Sequence, residues 1–212
     1  SLGISEGNPI PVPKTFKEPD SPVHVSVERT GRPYTFKEKK FTVPELDYWK
    51  QYSIIPEILE QYKVCSVVQF QSENSEGNPF SYSSTAEEPI YGYKNKRFIK
   101  LYRPFSKTRF LYGGNIGENY CFGLEQLPSK GDTLFITGGE KDVMSLAAKG
   151  FHAICFNSET VTVPPNIIYK LTFRFKHIIL LYDMDETGIE SAKKHEKLLC
   201  EYGVKRLSLP LQ

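Results

Sequence analysis

From residue 131 onward the sequence alternates short apolar runs with segments of helical period, and this restricts the fold more than any other feature. Thr133-Leu-Phe-Ile-Thr137 reads as a strand, and Gly138-Gly139 turns the chain. Residues 140–149 then carry Val143, Leu146 and Ala147 at helical spacing, until Gly150 stops the helix. Residues 152–156 read as the next strand, 167–175 as a helix, and Ile178-Ile-Leu-Leu-Tyr182 as the most apolar strand of the chain. A helix over 187–202, with Ile189, Ala192 and Leu198 inward, is closed by Gly203, and 204–209 is a last strand. Strands that alternate with helices pair in parallel, so this half is expected to be an α/β unit.

The first half has a different grammar. Residues 1–40 hold Pro9, Pro11, Pro13, Pro19, Pro22 and Pro33 and show no apolar period, which predicts an extended linker or strap. Pro44 suits the first turn of a helix, and Leu46, Trp49 and Tyr52 follow at helical spacing. Ile55, Ile58 and Leu59 form a second short apolar face. A β-rich run covers 63–70, a polar turn or loop 71–79, and short strands of an antiparallel sheet 91–93, 97–102 and 109–111. The expected organisation is α+β followed by α/β: a linker over 1–40, a basic antiparallel subdomain over 41–130, and a parallel-sheet domain over 131–212.

Charge is unevenly placed. Between Tyr91 and Tyr112 stand Lys94, Lys96, Arg97, Lys100, Arg103, Lys107 and Arg109, with no Asp or Glu, in a chain whose net charge is only +2. The remainder is therefore net acidic. Tyr91, Tyr93, Phe98, Tyr102, Phe105, Phe110 and Tyr112 interleave with these cations. That combination offers phosphate contacts and base-stacking faces, although about half of the aromatics are expected to face a core instead. Lys100, Arg103, Lys107 and Arg109 are the candidates for nucleotide or nucleic-acid phosphates.

Cys65, Cys121, Cys155 and Cys200 form no CxxC pair, which argues against a zinc ribbon or a disulfide scaffold and favours a reducing, cytoplasmic setting. No apolar run approaches the roughly 18 residues of a membrane span, so no membrane partner is expected. His152 and His177 are placed at strand starts and His195 on an exposed helix face, none with a role.

Ligands of parallel α/β sheets collect at the carboxyl ends of the strands. Glu140 follows one predicted strand, and Asp183 with Asp185 follows another. Either set alone has a plain explanation, since Asp caps helices and Glu favours the helix dipole. If neighbouring strands bring the three together, their repulsion calls for a cation. Oxygen ligands without His or Cys nearby suit Mg2+ or Mn2+.

Thr137-Gly-Gly-Glu-Lys-Asp-Val143 followed by Tyr182-Asp-Met-Asp-Glu-Thr-Gly188 resembles the TOPRIM domain of primases and topoisomerases, most closely that of phage primase-helicases and mitochondrial replicative helicases. Upstream, Leu101-Tyr-Arg-Pro-Phe105 and Phe122-Gly-Leu-Glu-Gln-Leu127 are similar to the basic subdomain that precedes TOPRIM in such primases. The resemblance implies Glu140, Asp183 and Asp185 as catalytic metal-holding residues, and Lys141 as a catalytic lysine near the phosphates. It also implies Gly188 as the turn into the helix behind the metal. Gly138-Gly139-Glu140 stands where many members have Glu-Gly-Glu, which leaves one outer carboxylate missing.

The expected activity is that of a DNA primase catalytic core, a metal-dependent nucleotidyltransferase. Its partners are a single-stranded DNA template, nucleoside triphosphates and a replicative helicase in cis or in trans. The alternatives are a non-catalytic nucleic-acid-binding TOPRIM module and another metal-dependent TOPRIM nuclease. A haloacid-dehalogenase-type phosphatase also fits Asp183-Met-Asp-Glu-Thr187, but too little chain follows for its later motifs.

Overall fold

In the computed structural model, residues 31, 33–117 and 120–208 are described. The first sheet is antiparallel. Its strands are β1 (Tyr34–Lys39), β2 (Val64–Glu73), β3 (Pro79–Ser83), β4 (Ile90–Lys94), β5 (Phe98–Tyr102) and β6 (Phe110–Gly114). They run in the order β1-β2-β4-β5-β6, and β3 pairs with the distal half of β2. Helix α1 (Val43–Lys50) begins behind Thr42, whose N–H donates to the Glu45 carboxylate at 2.7 Å, and has Pro44 in its first turn. It buries Tyr48 and Trp49 against Tyr91 and Tyr102, and the short α2 (Pro56–Gln61) adds Leu59 to the same core.

The second sheet is parallel. Strands β7 (Gly131–Thr137), β8 (His152–Cys155), β9 (Phe175–Leu181) and β10 (Lys205–Arg206) take the order β10-β9-β7-β8. They are joined by α3 (Glu140–Ala148), α4 (Pro165–Thr172) and α5 (Glu186–Leu198). Thr137 at the end of β7 is opposite Leu181 at the end of β9, so the two chains leave the sheet side by side. That register positions the site.

Each sheet has its own hydrophobic cluster, and a third is shared between them. Tyr48, Trp49, Tyr91, Tyr93 and Tyr102 from the first half pack in a single cluster with Val143, Met144, Ala153 and Cys155 from the second. The connecting segment also reaches the free edge of β8, where Phe122 and Cys155 exchange backbone hydrogen bonds of 2.9 and 3.1 Å.

Four sequence expectations need correction. Tyr34–Lys39 is a strand rather than linker: no proline falls within it, and Tyr34 and Phe36 stack on one face, Tyr34 also against Phe70. The rest of the 1–40 reading lies outside the described residues, apart from positions 31, 33 and 40. The loop expected over 71–79 shrinks to its centre, because β2 runs on to Glu73 and β3 starts at Pro79. The last strand is only Lys205–Arg206. His195 is buried rather than exposed, with Nδ1 3.0 Å from the Tyr182 hydroxyl. No helix among the described residues is long and apolar enough to cross a membrane.

Candidate functional site

The ends of β7 and β9 bring the sequence-predicted acids to one region, but not as one cluster. Asp183 and Asp185 are exposed in the turn between β9 and α5. Asp185 caps α5, its Oδ1 accepting the Gly188 N–H at 2.8 Å. Gly188 is needed for closeness: a methyl there would land on the Asp183 carbonyl oxygen.

Glu140 points the other way. As the first residue of α3 it sits at the positive end of the helix. Its Oε1 accepts hydrogen bonds from Lys100 Nζ at 2.6 Å and from the Tyr120 hydroxyl at 2.7 Å. Glu140 and Lys100 are each 2% exposed. Lys100 also donates to the Asn157 carbonyl at 3.1 Å and is ringed by Phe110, Tyr112 and Tyr120. Two expectations are thereby revised. Lys100 is buried rather than exposed on the basic sheet, and Glu140 already has a cation, since Lys100 neutralises it.

Two carboxylates that sequence reasoning missed stand nearer the aspartates. Asp142, two residues into α3, has its pKa raised by burial and then by the Asp183 charge, with Glu140 adding to it and Lys141 opposing. Glu159, from the loop between β8 and α4, accepts the Asp183 N–H at 3.0 Å. Its pKa is raised by burial, then by Asp183, Asp185 and Asp142, against the opposing pull of that hydrogen bond. Asp142 belongs to the Glu-Lys-Asp triplet and could have been picked out there. Glu159 lies in a loop without a motif and carried no signal. Lys141 rests its ammonium over the Tyr52 ring, 3.9 Å from the centroid.

Among the described residues no ion pair engages Asp142, Glu159, Asp183 or Asp185. Four carboxylates that repel one another, opposed only by Lys141 at Asp142, suit a divalent cation in kind. Among the described residues, no three His, Cys, Asp or Glu side chains gather as a ready-made metal site.

The basic window divides in two. Arg103 is buried, stacked on Tyr82 at 4.3 Å and 3.5 Å from Glu88, rather than free on the surface. Lys94 pairs with Glu38. Lys96, Arg97, Lys107 and Arg109 are exposed and have no carboxylate ion pair among the described residues. Arg109 donates to the Tyr102 hydroxyl at 3.2 Å, which holds its pKa up. Tyr91, Tyr93, Phe98 and Tyr102 are core residues, whereas Phe105 and Phe110 are exposed beside Lys107 and Arg109.

Residues 135–212 match the family model described as Toprim-like. The fold of both sheets together is that of primase catalytic cores. The primase fragment of the bacteriophage T7 primase-helicase protein aligns with TM-score 0.55 at 17% identity, over 77% of this chain and 64% of that one. The DnaG primase catalytic domain bound to ssDNA gives TM-score 0.59 at 15% identity, over 79% and 66%. The E. coli primase catalytic core gives 0.58 at 15%, over 79% and 66%. At such identities the likeness is one of fold, and the chain spans just under two thirds of the length of these solved chains. No curated protein matches it by sequence.

Proposed function

We propose that the chain is the catalytic core of a DNA primase, transferring nucleotides from nucleoside triphosphates to make short primers on single-stranded DNA. The observation that carries this reading is the register of β7 and β9, which sets the start of α3, Glu140–Asp142, beside Asp183 and Asp185 in a primase-core fold. Asp183 and Asp185 would hold Mg2+ or Mn2+, with Asp142 and Glu159 at the rim. Glu140 completes that set only when its bonds to Lys100 and Tyr120 open. The ion, when bound, supplies neutralisation of phosphate charge and orientation of the attacking hydroxyl. Lys107 and Arg109, with Lys96 and Arg97 on the neighbouring hairpin, supply cations for the template backbone, and Phe105 and Phe110 supply stacking faces. Lys141, once lifted from Tyr52, reaches toward the triphosphate. A replicative helicase in cis or in trans is the partner this activity calls for.

A second reading is a nucleic-acid-binding module without catalysis. It is favoured by one observation, the neutralisation of Glu140 by a buried lysine. The 212-residue chain incubated with single-stranded oligonucleotides, nucleoside triphosphates and Mg2+ or Mn2+ separates the two. Products of two or more nucleotides, abolished by EDTA, support the primase. DNA binding that is indifferent to EDTA, with no product from any template, supports the binding module.

A further inference from the structure

Gly138 poses a question that its backbone does not answer. Six glycines among the described residues adopt the left-handed conformation that favours glycine, and Gly138 is not one of them. What fills the space of a side chain there is Glu159: a methyl on Gly138 would land on the Glu159 carboxylate, with Oε1, Cδ and Cγ as its nearest neighbours, and would push it aside. The same Oε1 accepts the Asp183 N–H. The bare Gly138 therefore forms a seat, and the carboxylate in that seat grips the turn that carries Asp183 and Asp185.

The Asp183 peptide is held from two directions. Its N–H is bound by Glu159 above the β7–α3 turn, and its carbonyl is packed against Gly188, where a methyl would also collide. Neither contact touches the Asp183 carboxylate, which stays exposed. We infer that Glu159 is a positioning residue of the acidic site, and that Gly138 lacks a side chain in order to seat it. Because Glu159 comes from the loop after β8, a third chain segment joins the two that the strand register brings together. This rests on the reading that Asp183 and Asp185 hold the divalent ion. Residues that orient metal ligands typically change affinity by about 10–100-fold when altered.

Four variants of the whole chain test the seat. Gly138→Ala removes no carboxylate but displaces that of Glu159, and Glu159→Ala removes it. Glu159→Gln keeps an oxygen that can accept the Asp183 N–H while removing the charge, and Asp183→Asn probes the ion itself. Two quantities are read: hydrogen exchange of the Asp183 amide without metal, and Mn2+ affinity by calorimetry. Gly138→Ala and Glu159→Ala should both speed exchange of that amide and weaken Mn2+ about tenfold. Glu159→Gln should keep amide exchange near wild type and lose less Mn2+ affinity than Glu159→Ala, since it gives up only the charge. Unchanged amide exchange in Gly138→Ala, or a Glu159→Gln variant as impaired as Glu159→Ala, overturns the inference. Wild-type Mn2+ affinity in Asp183→Asn overturns the metal reading instead, and amide exchange then decides the seat alone.

Discussion

Lys100 Nζ lies 2.6 Å from Glu140 Oε1, and this ion pair, 2% exposed on both sides, ties the middle of β5 in the antiparallel sheet to the first helix of the parallel one. Burial makes such a pair weak evidence for stability and costly to break by halves. Lys100→Met should destabilise the fold by about 3–5 kcal/mol, because it leaves the Glu140 charge without its cation. Changing both residues to Met should recover most of that loss. Urea unfolding of the two single variants and the double variant gives the coupling, and additive losses would show that the pair does not act as a unit.

Asp183→Asn and Asp185→Asn should each abolish metal-dependent primer synthesis while leaving the fold intact. Asn caps a helix as well as Asp, so Asp185→Asn should keep its bond to the Gly188 amide, whereas Asp185→Ala should lose about 1 kcal/mol. Asp183→Asn should slightly raise metal-free thermal stability by relieving repulsion with Asp142 and Glu159. Full activity of either Asn variant in Mg2+ would falsify the metal assignment.

Lys107→Glu with Arg109→Glu should weaken single-stranded DNA binding and flatten its salt dependence. Each lost phosphate contact removes about 0.7 from the log–log slope. Reversing Lys193, Lys194 and Lys197 on α5 should matter much less, since Glu190, Glu196 and Glu201 accompany them. Arg103→Glu belongs to a different class: that side chain is buried on Tyr82, and its reversal should be read first as a folding defect. Fluorescence anisotropy across a salt series checks the comparison, and equal losses from the two surface sets would mean that binding is diffuse.

His195 makes stability depend on pH. Burial, then the Lys194 charge, lowers its pKa below the ordinary value of 6.5, with the Val161 backbone opposing. The unfolded chain therefore takes up the proton more readily than the folded one. The contribution from His195 is complete above about pH 6.5 and falls as the pH drops from there toward the lowered folded value. His195→Gln should be less stable at pH 8, having lost the packing against Tyr182, yet show a shallower decline between pH 7 and 5. Thermal unfolding at several pH values measures it. A slope unchanged from wild type would assign the pH dependence to other groups.

The parallel half was legible from sequence because its strands are apolar runs and its helices carry their own stops, as at Gly150 and Gly203. The antiparallel half was legible at the buried β2, β4 and β5 and at part of the more exposed β6. Strand β3, with alternate residues exposed, and β1, behind a proline-rich stretch, have no comparable signal. At the site, the strand-end acids could be located but the direction of each side chain could not. Glu140 turns inward because Lys100, 40 positions earlier, meets it in space, and no local pattern reports such a meeting. Burial likewise took Lys100 and Arg103 out of a window whose charge count alone made every cation look available.

The core shared by the two sheets bears on how the chain can be cut. A fragment beginning at Gly131 would keep the parallel sheet and the family-matching segment, yet it would bare Val143, Met144, Ala153 and Cys155, which the tyrosines and tryptophan of the first half now cover. It would also strip Phe122 from the edge of β8, leaving backbone groups there to pair with another copy. The boundary that motif and topology draw at residue 131 is thus not a seam along which the molecule comes apart: expressed alone, the second half should be sticky and prone to self-association, and only the longer chain carries its own cover.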